Sequence, residues 1–210
     1  MRLPRIFALL AMLGFGPAAG TLPPLPEPVT NNVVAVARAA GRDHVVSLLG
    51  LGPGKTWRDL RAGGYMHVSG SESSTPYVYA LDVASRRYDR LADIPTPVDD
   101  SVALVYQDRY VYLISGWHDK DNVALVQLYD AVENRWRQAT VFPGTPVFGH
   151  AGGIAGRRML VCDGVQVVRQ SGPGRYAPSD ECWLGEIDKR APERIDWTRN
   201  SAHPGVPRYR

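Results

Sequence analysis

Residues able to do chemistry are scattered through this chain of 210 residues, and few stand at a catalytic or metal-binding spacing. The five histidines, His44, His67, His118, His150 and His203, are separated by 23, 51, 32 and 53 residues, so none forms a short-range metal pair. No metal site or cofactor follows from that pattern. Gly50-Leu51-Gly52-Pro53-Gly54-Lys55-Thr56 has the look of a phosphate loop, but Gly50 stands one residue too close to the Gly54-Lys55 pair. Trp117-His118-Asp119-Lys120-Asp121-Asn122 gathers several oxygen ligands, yet lacks the alternating acidic order of a calcium loop. It reads as a solvated hairpin loop. Cys162 and Cys182 could form a disulfide across a turn centred near Gly172-Pro173-Gly174, or remain two buried thiols. No histidine lies near either in sequence, which argues against a catalytic thiol.

The elements that would position these groups are preceded by an export signal. Arg2 and Arg5 give a basic start, Ile6 to Phe15 is an apolar run, and Pro17-Ala18-Ala19-Gly20 supplies small residues for cleavage. The run is about half the roughly 20 residues a spanning helix needs, so residues 1–20 read as a signal peptide and the protein as periplasmic or secreted. No later stretch is expected to span a membrane. Without Arg2 and Arg5 the basic count falls from 24 to 22 against 21 acidic residues, and charges alternate in sign, as in Asp82 to Arg90. Nucleic-acid binding, which needs a basic stripe, is set aside.

With 21 Gly and 17 Pro, high for a helical protein, the rest of the chain reads as many short strands joined by turns. Three segments repeat one unit: His44 to Gly50, Tyr110 to Gly116 and Arg158 to Gly164, each a β-rich run ending in Gly. Each follows a turn and a small apolar strand, at Val33 to Ala37, Val102 to Tyr106 and Ala151 to Ala155. The second and third glycines are 48 residues apart and the first and second 66, so the first unit should carry an extra hairpin. Downstream, Tyr77 to Asp82 leads to Tyr88, Val126 to Asp130 to Trp136, and Trp183 to Asp188 to Trp197.

Those residues resemble the Kelch repeat family, in which a Gly-ended second strand is followed by a Tyr-Asp segment, a Trp and a Pro-containing loop. Tyr129-Asp130 through Trp136 is the closest match, while a single Gly at 50, 116 and 164 replaces the family's usual pair. The resemblance implies an all-β fold of β-propeller blades, each a four-stranded antiparallel sheet, with no substantial helix after residue 20. Blades fall at about 30–95, 96–143 and 144–202, within a propeller region 21–210, and 203–210 begins a fourth. With three to three and a half blades the ring is expected to be incomplete, leaving the last blade with Trp197 facing solvent.

In such a fold the loops leading into inner strands and joining second to third strands gather on the faces, where ligands bind. Asp99, Asp100, His150 and Arg208 stand before successive inner strands, and Trp117, His118 and Asp119 follow a Gly-ended strand; these are the candidate ligand-binding residues. The resemblance implies a binding propeller whose partner is a protein or a carbohydrate. It also admits an enzyme of the sialic-acid mutarotase kind, with Asp100, His150 and Arg208 as the acid/base and carboxylate-binding types, whereas the copper-radical pattern of galactose oxidases is not matched.

Overall fold

A computed structural model describes residues 23–26, 32–48, 55–58, 65–68, 74–169 and 175–209. The signal-like segment 1–20 and the Gly50 to Gly54 part of the phosphate-loop-like run lie outside these residues. Every regular element among them is a strand. No helix among them is long and apolar enough to cross a membrane.

Twelve of the strands form three antiparallel four-stranded sheets of identical connectivity. The first contains β1 (Val33–Ala39), β2 (Arg42–Leu48), β5 (Val78–Asp82) and β6 (Arg87–Arg90) in that spatial order. The second contains β7 (Val102–Tyr106), β8 (Tyr110–Ile114), β11 (Val126–Asp130) and β12 (Arg135–Gln138). The third contains β13 (Ala151–Ala155), β14 (Arg158–Cys162), β17 (Cys182–Ile187) and β18 (Ile195–Asn200). These are the blade sheets of an open propeller ring. Strand chemistry explains the pattern. β1 is buried on alternate residues, as a half-covered inner strand should be, whereas β11 lies between two strands and two neighbouring blades and is buried throughout.

Between its second and third strands each blade also carries a two-stranded hairpin: β3 (Lys55–Arg58) with β4 (Tyr65–Val68), β9 (Trp117–His118) with β10 (Asp121–Asn122), and β15 (Val165–Val168) with β16 (Arg175–Pro178). The extra hairpin expected of the first blade is therefore a feature of all three; the glycine spacings compare only the first two blades, where it is longer in the first (55–68) than in the second (117–122), and the third (165–178) matches the first.

Two hydrophobic clusters join the blades. Val33, Ala35, Ala37 and Val46 of the first meet Val111, Leu113 and Tyr129 of the second. The opposite face of the second, with Leu104, Tyr112, Ile114 and Leu128, meets Met159, Val161 and Ile187 of the third. Each fully covered aliphatic side chain contributes roughly 1.5–3 kcal/mol. The repeat aromatics fill these junctions. Trp136 lies 5.0 Å from Tyr129 and donates its indole N–H to the Ala92 carbonyl at 2.8 Å. Trp197 sits edge-on to Phe142 at 5.5 Å, packed toward the second blade. This corrects the expectation that Trp197 faces solvent: the ladder register puts it on the same face as Met159 and Ile187, and the uncovered face of the third blade instead presents Ala151, Gly153, Ala155 and Leu160.

The Asp that ends the third strand, or in the third blade directly follows it, holds the following turn. Asp82 accepts from Ser85 N at 2.8 Å, Asp130 from Val132 N at 3.0 Å and Asp188 from Arg190 N at 2.7 Å. These carboxylates serve the turns, which explains a Tyr-Asp segment without chemistry.

Candidate functional site

The site is built where a second strand ends. Ser115 and Gly116 take left-handed backbone angles, φ 54° and 115°, and Asp163 and Gly164 repeat this at 65° and 92°. The turn aims the glycine N–H at the segment leading into the next inner strand: Gly116 N donates to Val147 O at 2.9 Å, and Gly164 N to Arg208 O at 3.1 Å. A Cβ on Gly164 would come within 2.8 Å of His150 Cβ and 2.9 Å of Phe148 O, so only glycine lets the segment pack this closely. At Gly116 and Gly164 the single glycine of the repeat is thus a joint to the segment that follows the blade.

These joints bring the lead-in segments and the inserted hairpins to one edge. Asp99 is 3% exposed; its backbone exchanges hydrogen bonds with Trp117 at 2.8 and 2.9 Å, and its Oδ2 accepts from Ser74 Oγ at 2.9 Å. His150 is fully enclosed. Asp99 helps hold the loops together, and both residues lie out of a ligand's direct reach. Asp100 is half-buried at φ 47°, its carbonyl accepts from Gly149 N at 2.8 Å, and its Oδ2 lies 3.5 Å from Tyr209 Oη. A ring nitrogen of His118, Nδ1, meets the Pro97 carbonyl at 2.6 Å, while Nε2 lies 3.5 Å from the exposed Asp119 carboxylate. Arg208 is exposed on the C-terminal segment. Among the described residues no group of three or more His, Cys, Asp or Glu side chains converges as a metal site.

Four aromatic rings assemble beside these residues. Phe148 lies 5.7 Å from each of Trp117, Tyr176 and Tyr209, all edge to face, and Trp117 lies 6.1 Å from Tyr176. Tyr176 and Tyr209 are 65% and 56% exposed, so the cluster presents wet ring faces on a packed base. Hairpin β9–β10, which carries Trp117, is fastened by Asn122 Nδ2 donating to Pro146 O at 3.1 Å and Val165 O at 2.9 Å, and by Asp121 paired with Arg169 at 2.6 Å. Of the cluster, sequence reasoning named only Trp117. Aligning the blades on Pro97, Pro146 and Pro207 would have placed Asp99, Phe148 and Tyr209 at one repeat position. Nothing in the sequence brings Tyr176 there, because its hairpin varies in length between blades.

Along the third blade the C-terminal segment roofs an open cleft of about 550 Å³ lined by Gly149, Ala151, Asp163, His203, Arg208 and Tyr209, among others. Asp163 and His203 form a second group that sequence analysis did not single out, joined by Nε2 to Oδ2 at 2.6 Å. A disulfide between Cys162 and Cys182 lies at the cleft's edge, with Cα atoms 4.2 Å apart as directly opposed ladder partners. Gly149→Ala is expected to unseat Tyr209, since the new Cβ would fall 2.0 Å from its ring at a φ of +60°. Trypsin should then cut after Arg208 several-fold faster than in the unmodified protein; equal rates would show that the ring is not held there.

No family model matches the chain, and no curated protein matches it. Among solved structures it is similar to that of YjhT, with a TM-score of 0.62 and 12% sequence identity over 86% of this chain and 54% of YjhT. At that identity the likeness is one of fold, and the chain spans about half the length of YjhT.

Proposed function

We propose that the protein is an exported Kelch-type propeller that binds a glycan through the loops of this edge. The observation that carries the reading is the cluster of Trp117, Phe148, Tyr176 and Tyr209 with Asp100 beside it. Exposed ring faces can stack on the apolar face of a sugar, and a neighbouring carboxylate can accept its hydroxyls. Ordered hairpins that carry Trp117 and Tyr176 reduce the entropy lost on binding. Export is supported by the basic and apolar run of residues 1–15 and by the disulfide, which suits an oxidising compartment. A protein ligand would use the same aromatic surface. The isomerase alternative has weaker support, because His150, one of its acid/base candidates, is enclosed.

A panel of immobilised oligosaccharides, followed by calorimetry on any that bind, tests the proposal. Tyr176→Ala should weaken binding about tenfold, the worth of one favourable ring contact, while leaving thermal unfolding unchanged because the ring is mostly exposed. Binding that is indifferent to Tyr176 and Tyr209 would move the site elsewhere, and a panel with no binder would end the glycan reading.

A further inference from the structure

We infer that the C-terminal segment, residues 203–209, is held across the site by a protonation-dependent latch, closed when His203 is charged and loosened when it is neutral. Comparison of the two described blade joints carries this. At the joint after the second blade, the residue before the glycine is Ser115, whose Oγ accepts from Val147 N at 2.9 Å and lies 2.7 Å from Val147 O. At the joint after the third, that position is Asp163, with the same left-handed backbone and its N–H on Glu181 O where Ser115 N donates to Leu125 O. A hydroxyl fastening has been replaced by an ion pair.

The ring of His203 sits between two acceptors. Nδ1 is 2.9 Å from the Pro204 carbonyl and Nε2 is 2.6 Å from Asp163 Oδ2. Neither acceptor can donate, so both contacts are hydrogen bonds only if both ring nitrogens carry protons; a neutral imidazole has one N–H, and whichever partner it keeps, the charge-assisted bond that ties the segment to Asp163 is lost. The charged groups facing the ring are Asp163, across the cleft, and Arg208, on the segment itself. The Pro204 carbonyl first, and then Asp163, raise the pKa of His203, against opposing contributions from desolvation and Arg208. Because the folded value lies above the unfolded one, the latch is complete below about pH 6.5 and is lost as pH rises through the folded value.

Release would matter at the site. The same segment seats Tyr209 on Phe148 and against Asp100, so an open latch uncovers a ring and a carboxylate. The latch stands or falls independently of what ligand binds there.

Backbone amide relaxation and the Tyr209 ring shifts of the whole protein, followed by NMR from about pH 5.5 to about pH 9 across the histidine range, test the inference. The released fraction of residues 203–209 should rise at least tenfold over that range, while the signals of β13 and β14 stay fixed. His203→Gln should abolish the pH dependence, and Asp163→Ser, which restores the group found at Ser115, should abolish it as well. A segment equally ordered at both ends of the range in the unmodified protein, or a pH response that persists in His203→Gln, would overturn the latch.

Discussion

Asp130→Ala is expected to lower the unfolding free energy at neutral pH by about 2–3 kcal/mol. The carboxylate has no exposure and accepts from Arg109 Nε at 2.8 Å and Nη2 at 2.6 Å, and from the backbone N–H groups of Val132 and Glu133 at 3.0 and 3.2 Å. Breaking a fully buried pair costs about 3–5 kcal/mol, but the Arg109 side chain is 35% exposed and water softens its loss. Burial pushes the Asp130 carboxyl up; the Arg109 hydrogen bonds, with those of Glu133 and Val132, outweigh it and hold the group below the usual carboxylate range. The stabilisation is therefore present above the unfolded value of about 3.9 and lost as pH falls through the lower folded value. Urea midpoints of variant and parent should differ most at neutral pH and converge in acid. A difference that stays constant down to about pH 2, below the carboxylate range, would mean that packing rather than charge is lost. Asp188→Ala, at the same repeat position but with an exposed side chain, should have a much smaller effect.

Removing the disulfide by Cys162→Ser with Cys182→Ser should cost about 3 kcal/mol. The bond spans a sequence separation of 20 and ties the two ends of the insertion that holds β15 and β16. Its main effect is to restrict the unfolded chain, which without it regains the freedom of that loop. For a protein of this size the melting temperature should fall by about 2–4 °C for each kcal/mol. Dithiothreitol should reproduce the loss in the unmodified protein and leave the double variant unaffected. The insertion also carries Tyr176, so any glycan affinity should fall with stability. Unchanged melting on reduction would show that the β14–β17 ladder alone holds this end of the third blade.

The two effects differ in how visible they are in the sequence. Asp130 stands out because an Asp recurs at the same repeat position at 82 and 188, and its role in a turn follows from that recurrence. The exact opposition of Cys162 and Cys182 depends on the register of β14 against β17, and the residues between them form a separate hairpin rather than a simple turn. Trp197 was misplaced for a similar reason. Its membership of the repeat is legible, but alternation puts successive residues of β18 on opposite faces, and only the ladder decides which face is covered.

The sequence by itself determined the strand content, the repeating blade unit, the turn positions and the residue types gathered at the joints, because these depend on local propensity, period and the conformations open to glycine. Tertiary structure alone decided which of those residues meet water. Asp99 and His150 occupy equally prominent positions in the sequence, yet packing of lead-in segments against the glycine joints encloses both, while Tyr176 and Tyr209 are carried to the surface from segments far apart in the chain. Their convergence on Phe148 is set by hairpin length, register and the path of the C-terminal segment. Contacts of that kind depend on distances in space between residues whose separation along the chain carries no periodic signal.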